Sequence, residues 1–262
     1  KRLLFSAFTL IIALIIWNYY GNLHDLMYTK YFGSITMLAI QFIVYICVFV
    51  GVYLLQSVFT NNFSYWGNKQ FLLIVITAPL VFATQQYLYQ HKVVISKLGY
   101  INDTNSITTT VEWLLRSCIL IGYSTYIVHQ FKINHTSTFR ISAKVYLQML
   151  LCMLPIICMA ASTTAFQQTY PKLKIALQSN NPSIIKGLVL ELSYLINFVA
   201  VEYFFRGILI IYLQKITGKA CILAMALFYC TIHFNKPMAE CISSIAGGLL
   251  LGIMVYRSQS IK

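Results

Sequence analysis

Long runs of apolar residues alternate with short polar connections along the whole chain. A helix needs about 20 mostly apolar residues to cross a hydrocarbon core about 30 Å thick, and most of these runs approach or exceed that length. The pattern therefore predicts an all-α, polytopic transmembrane bundle that forms one domain over residues 1–262. About eight spans are expected, near residues 3–19, 33–58, 71–87, 111–128, 145–166, 184–212, 221–234 and 238–256.

The composition agrees with a membrane protein, since 59% of the residues are hydrophobic and 10% are charged. The formal net charge of +13 raises the question of nucleic acid as a partner. However, the basic residues are scattered through the short connections and form neither a stripe nor a tail. We therefore expect membrane lipid as a partner, no nucleic acid, and a multi-pass location, with the bacterial cytoplasmic membrane as the expected site.

The seven cysteines lie in apolar segments and include no C-x-x-C pair. This spacing predicts neither a disulfide framework nor a thiolate metal site. We expect the cysteines to behave as small buried hydrophobic residues.

Three ionisable residues lie inside otherwise apolar segments and are the first candidates for function. Glu202 and Arg206 are one helical turn apart in one segment, and His233 lies in the next. An ionisable group in the middle of a membrane span costs roughly 2.5–3.5 kcal/mol on insertion scales. We therefore expect all three side chains to face a protein interior or a wet cavity.

The connection over residues 213–220 is short, so the helices on either side of it must run antiparallel. Glu202 and His233 are each roughly 20–25 Å from this turn at about 1.5 Å rise per residue, which predicts a common depth. The helix that ends near His233 is too short to cross the membrane and should break at residues 234–237. Irregular backbone at that depth must line protein or water. After the break, Glu240 returns toward His233 and is a second candidate carboxylate.

These residue types suit hydrolysis. A carboxylate or an imidazole can take a proton from water, and a cation can stabilise the oxyanion that forms on an attacked carbonyl. The alternative is structural, with a buried Glu–Arg pair that fixes helix packing and a His233 that is hydrogen-bonded to a neighbour. Spacing alone leaves both interpretations open. Glu112 and Arg116, four residues apart, are expected to form a structural ion pair on another helix.

The segment from residue 197 to 262 resembles the CPBP intramembrane proteases, which include CAAX prenyl-protein endopeptidases and bacterial Abi-type proteins. That family's first motif is Glu-Glu, three residues and Arg, and residues 201–207 match it except that Val201 replaces the first Glu. The second motif is an aromatic residue separated by three residues from a His, which fits Tyr229 and His233. Residues 234–248 and Gly252 resemble a bacterial branch of the family. Ser244, Gly248 and Gly252 would also let helices approach closely.

The resemblance implies a catalytic core near residues 184–262 that hydrolyses a peptide bond in a membrane-associated peptide or protein. Glu202, Arg206, His233 and Glu240 are the expected catalytic residues. In this family the water-activating role is usually given to the Glu that Val201 replaces, so either Glu202 or Glu240 takes it over or proteolysis is lost. The family's last motif, a His with an Asn or similar residue four positions later, is expected on a further helix after residue 262.

No cofactor is expected, with a metal ion as the alternative. One His and two carboxylates fall short of the three protein ligands usual for catalytic zinc, and the chain contains no H-E-x-x-H helix. A non-enzymatic protein of the same fold, such as a bacteriocin-immunity or peptide-binding protein, is the second hypothesis, and Val201 favours it. A transporter is the third, although neither internal repeats nor paired broken helices are evident.

Overall fold

A computed structural model describes residues 2–87, 104–131, 147, 151, 154–155, 157–159, 161–170, 174–177 and 183–258. These residues form helices and connections and contain no strand, which confirms the predicted all-α class. The predicted span over residues 145–166 lies partly outside the described residues, so no bounds are given for this span. Six of the described helices are long and apolar enough to cross a membrane.

Seven described helices build the bundle and are numbered here in chain order. They are α1 (Arg2–Tyr20), α2 (Ile35–Thr60), α3 (Lys69–Tyr87), α4 (Thr104–Gln130), α5 (Ile184–Thr217), α6 (Ala220–Thr231) and α7 (Met238–Ser258). Shorter helical segments are Leu23–Asp25, Leu26–Lys30, Ser64–Gly67, Thr164–Thr169 and Lys174–Leu177. The bounds agree with the predicted spans to within a few residues, except that α4 begins seven residues earlier than residue 111.

Local side-chain chemistry explains where several helices begin and end. The Ser34 hydroxyl accepts a hydrogen bond from the Met37 amide and caps the start of α2. The Asn68 side chain accepts hydrogen bonds from the amides of residues 70 and 71 and caps α3 in the same way. The tight turn between α5 and α6 contains Gly218 at φ +59, a backbone conformation that glycine adopts without steric cost.

Helix α5 changes its winding within the predicted site. It is α-helical over Ile184–Glu202 and π-helical over Tyr203–Tyr212, where the Leu213 amide donates to the Ile208 carbonyl five residues back. The apolar pattern predicted one long helix over residues 184–212 and gave no sign of the π-helical stretch. π-Helical turns are rare and often accompany functional sites. The change begins immediately after Glu202, so it sets the direction of the Arg206 side chain.

Helix α6 packs against α2, α5 and α7, and an aromatic cluster fixes its position. Ring centroids in this cluster lie 5.1–6.1 Å apart, within the range of favourable aromatic pairs. Its members come from four helices and are Tyr45, Phe49, Phe82, Phe205 and Phe228. The cluster therefore holds the two helices that carry the candidate site against the first half of the chain.

Small residues allow α6 and α7 to approach closely, as the sequence predicted. A Cβ atom added at Gly248 would lie 3.2 Å from the Ala226 Cα, and one at Gly252 would lie 2.8 Å from the Met225 Cε. The contact at Gly248 is with backbone, which cannot rotate away. Helix packing therefore requires glycine at Gly248, whereas the flexible end of the Met225 side chain is able to move away from a Cβ at Gly252.

Six of the seven cysteines lie among the described residues and divide into two groups, and Cys152 lies outside those residues. Cys221, Cys230 and Cys241 are buried and free, with 3.6 Å between the Sγ atoms of the last two. Cys47, Cys118 and Cys158 are exposed, so the expectation of burial is wrong for these three. A thiol is apolar enough to lie on the outer surface of a membrane bundle.

Candidate active site

The Glu202 and Arg206 side chains form an ion pair where α5 changes its winding. Arg206 Nε lies 3.1 Å from Glu202 Oε2, and the arginine and glutamate side chains are 1% and 18% exposed. Two charges removed from water in this way stabilise a fold only when their geometry is good and further hydrogen bonds satisfy them. Whether this pair stabilises the fold therefore depends on the hydrogen bonds of its remaining polar atoms.

Most of those polar atoms lack a hydrogen-bond partner among the described residues. Glu202 Oε1 and the Arg206 Nη1 and Nη2 atoms are buried and unpartnered. Even the close Nε contact lacks hydrogen-bond geometry, because Arg206 Nε has no hydrogen-bond partner either. A buried polar group without a partner costs about 1–3 kcal/mol, more if charged. This pair thus retains capacity to bind a polar molecule such as water or a peptide carbonyl.

Tyr229 connects the ion pair to His233. The Arg206 guanidinium carbon lies 4.5 Å from the centroid of the Tyr229 ring, a cation–π contact. The Tyr229 and His233 rings, one turn apart along the chain, have centroids 4.7 Å apart. Phe205 packs edge-on against the same tyrosine at 5.0 Å. Glu202, Arg206 and His233 therefore belong to one group that is connected through Tyr229.

The hydrogen bonding of His233 defines which ring nitrogen is free. Its Nδ1 lies 2.8 Å from the Tyr229 carbonyl oxygen, which can only accept. Nδ1 therefore carries the hydrogen, and in the neutral ring Nε2 is the acceptor. The positive charges of Arg206 and Lys236 both act on this imidazole. The neutral ring thus keeps one basic nitrogen, Nε2, that the hydrogen bond to Tyr229 does not use.

The break between α6 and α7 is held in place by α1. The α-helix ends at Thr231, and α7 resumes at Met238 after Pro237, the residue type that suits a helix start. The Asn18 amide donates to the Phe234 carbonyl at 2.9 Å, and the Tyr19 hydroxyl donates to the Lys236 carbonyl at 2.6 Å. The predicted break is confirmed, and α1 satisfies the backbone groups that the break exposes. Neither anchor was predicted from the sequence.

Glu240 belongs to a neighbouring cluster. Its Oε1 accepts a hydrogen bond from the Tyr170 hydroxyl at 3.0 Å and lies 3.9 Å from Lys236 Nζ. Within the described part of the chain, no hydrogen bond or ion pair joins Glu240 to Glu202, Arg206 or His233. The structure therefore brings three of the four expected residues into one connected group and places the fourth beside them.

Two further expectations concern α4 and metal binding. Glu112 and Arg116 form the predicted ion pair, with side chains 13% and 22% exposed, and the Arg116 charge acts on Lys236. Among the described residues, no three or more His, Cys, Asp or Glu side chains lie close enough together to hold a metal ion.

Comparison with known proteins finds a match for the carboxyl-terminal part of the chain only. Residues 185–262 match the family model described as Type II CAAX prenyl endopeptidase Rce1-like. The matched segment contains the ion pair, His233 and Glu240, whereas Asn18, Tyr19 and Tyr170 lie outside it. No curated protein and no solved structure matches the chain.

Proposed function

We propose that this chain, which carries an Rce1-like segment of the CPBP proteases at residues 185–262, is an intramembrane endopeptidase. One observation carries the proposal: the unpartnered atoms of the buried Glu202 and Arg206 pair lie in one connected group with His233, beside a broken helix. A pair that served packing alone would be expected to satisfy its own polar atoms.

The proposed reaction is hydrolysis of a peptide bond by activated water. Glu202 Oε1 takes a proton from water while His233 Nε2 accepts a hydrogen bond from the same molecule and orients it. The oxygen of water attacks the peptide carbonyl carbon, and the Arg206 guanidinium stabilises the resulting oxyanion. The C–N bond then breaks, and the proton held by Glu202 passes to the departing amine. The products are a carboxylic acid and a free amine.

Water reaches this depth through the break between α6 and α7. Asn235 is exposed there and Lys236 is partly exposed, so the break presents polar groups in an otherwise apolar bundle. Irregular backbone at membrane depth is tolerated where it lines protein or water. The helix break thus both shortens α6 and admits water to the site.

The proposed substrate is a peptide or protein held at the membrane. The description of the matched family names CAAX prenyl endopeptidases, whose substrates carry a prenylated cysteine near the carboxyl terminus. A prenyl chain buried among lipids would bring such a peptide to the level of the site. A farnesylated CAAX peptide is therefore the first probe, followed by a library of unmodified membrane peptides.

A non-enzymatic protein of the same fold is the second candidate, and Val201 favours it. Val201 stands where the family has its first Glu and packs against the hydrophobic core. A wild-type protein that lacks turnover, combined with a Val201→Glu variant that gains it, would support this second candidate. Turnover by wild type would exclude it.

The test compares wild type with His233→Ala and Glu240→Gln in lipid vesicles. We expect His233→Ala to lower turnover by about 10²-fold, because the attacking water loses the group that orients it. A much smaller effect is expected for Glu240→Gln, because that carboxylate is held by Tyr170 and Lys236. If turnover were lost only in Glu240→Gln, Glu240 and not Glu202 would be the general base.

A further inference from the structure

We propose that Tyr170 is a positioning residue of this site, one that holds Glu240 and Lys236 in place and fastens the segment 164–170 over the helix break. Tyr170 lies outside the segment that matches the protease family. Its effect on turnover rests on the proposed function, whereas its role as a fastening contact is testable separately.

Hydrogen-bond chemistry fixes the direction of the contacts at Tyr170. Lys236 Nζ lies 3.0 Å from the Tyr170 hydroxyl and can only donate when charged. The Glu240 carboxylate can only accept, and its Oε1 lies 3.0 Å from the same hydroxyl. Tyr170 therefore accepts from the lysine and gives its own hydrogen to the carboxylate. The hydroxyl is a connector that neither a phenylalanine nor a leucine could replace.

The ring of Tyr170 strengthens this arrangement. Lys236 Nζ lies 5.3 Å from the ring centroid, so the ammonium contacts both the hydroxyl and the aromatic face. Phe166 packs within the same segment, with its ring centroid 4.7 Å from that of Tyr170. Thr163 caps the short helix Thr164–Thr169 by accepting from the Phe166 amide. The segment thus has local order that delivers Tyr170 to the break.

Three groups face the Tyr170 hydroxyl, namely Lys236 from the break, Glu240 from α7 and Tyr194 from α5. Burial, together with the neighbouring Tyr194 and Glu240, raises the pKa of Tyr170 well above that of a free tyrosine. The hydroxyl consequently remains a hydrogen donor at all physiological pH values.

The consequence for the site concerns the second carboxylate oxygen. With Oε1 held by Tyr170, Glu240 Oε2 is buried without a hydrogen-bond partner in the described part of the chain. Without the hydroxyl, Lys236 Nζ and Glu240 Oε1, already 3.9 Å apart, are free to approach each other directly. That movement would reorient Glu240 and release the segment 164–170 from α7. Tyr170 therefore acts on the site through Glu240 and Lys236.

Distance measurements between spin labels test the fastening role without any substrate. Gln168 and Ala239 are exposed and lie on the two elements that Tyr170 connects. Labels are placed on Gln168→Cys and Ala239→Cys in a chain whose native reactive cysteines are replaced by serine. We expect a narrow distance distribution that broadens with Tyr170→Phe and stays unchanged with Tyr20→Phe, a control on a tyrosine that is 77% exposed. An unchanged distribution in Tyr170→Phe would overturn the proposal, whatever the protease assay shows.

A double-mutant cycle tests the link to turnover with a farnesylated CAAX peptide as the probe. Because Tyr170→Phe removes one hydrogen bond, we expect it to lower kcat by about three- to tenfold. KM and the thermal midpoint should change little. Because Tyr170 acts through Glu240, the same substitution should have no further effect in a Glu240→Gln background. Fully additive effects would overturn the positioning role. A wild type without turnover, together with the broadened label distances, would reject the protease and keep the fastening contact.

Discussion

The segment 185–262 and the helices α1–α4 contribute to one site in different ways. The first supplies ionisable side chains inside apolar helices, namely Glu202, Arg206 and His233, with the break that follows them. The second supplies neutral hydrogen-bond donors, Asn18 and Tyr19, which satisfy the backbone of that break. Reactive groups therefore cluster in sequence, whereas the contacts that position them come from far along the chain.

Two ion pairs with the same spacing, one in each region, allow the two regions to be compared by experiment. Glu202 and Arg206 in α5 and Glu112 and Arg116 in α4 are each four residues apart. The arginine is 1% exposed in the first pair and 22% exposed in the second. Burial of the arginine, and not the spacing, should decide how much each pair contributes to the free energy of unfolding.

The largest expected effect is that of Arg206→Met, which leaves Glu202 as an unpaired charge. Breaking a buried pair in this way costs about 3–5 kcal/mol of unfolding free energy. Denaturation in mixed micelles, followed by circular dichroism, measures it. The double variant with Glu202→Gln should recover part of the loss, since no lone charge remains. A loss below about 1 kcal/mol in the single variant would show that the pair is not held in a dry interior.

The next effect is that of Gly248→Ala, which tests the close packing of α6 on α7. The added methyl group would meet the Ala226 backbone at 3.2 Å, so the helices must separate. Overpacking of this kind costs typically about 1–3 kcal/mol. Gly122→Ala is the matched control, because a Cβ there meets nothing within 4 Å. Equal thermal midpoints for the two variants would contradict the packing described here.

A smaller effect is expected for Tyr19→Phe, which removes one anchor of the break. The Lys236 carbonyl loses a hydrogen bond of 2.6 Å, a net loss of about 1 kcal/mol. Tyr20→Phe, on the adjacent exposed residue, controls for the loss of a hydroxyl. Amide hydrogen exchange over residues 232–237 should accelerate in Tyr19→Phe only. Equal exchange in both variants would mean that α1 does not hold the break.

The smallest effect is expected for Arg116→Met in the α4 ion pair. Partly exposed pairs contribute about 0–1 kcal/mol, so the free energy of unfolding should change by no more than this. The same denaturation assay used for Arg206→Met gives the comparison directly. A loss as large as that of Arg206→Met would mean that the α4 pair is as essential as the one in the matched segment.

Much of the site could be predicted because its signals are local. A charge in an apolar run is conspicuous in membrane sequences, and this signal alone points to Glu202, Arg206 and His233. Helix length against bilayer thickness predicted the break after α6, and spacing predicted the pair of Glu112 and Arg116. Each of these inferences uses residues within one or two neighbouring helices.

The rest depends on contacts that leave no local pattern. Asn18 and Tyr19 end an apolar run and give no sign that they contact residues more than 200 positions away. Tyr229 matched a family motif, but its role as the connection between Arg206 and His233 follows only from packing. The π-helical stretch Tyr203–Tyr212 has an ordinary apolar sequence, so tertiary contacts rather than propensity select it.

The most direct test of the account compares turnover and stability of Glu202→Gln and Glu112→Gln in lipid vesicles. We expect Glu202→Gln to lower turnover of the farnesylated CAAX peptide by about 10²–10⁴-fold per folded molecule, beyond the stability it loses because Arg206 becomes a lone buried charge, and we expect Glu112→Gln to keep both properties. Equal turnover in Glu202→Gln and wild type would contradict the assignment of Glu202 as the base and would leave its ion pair a purely structural one.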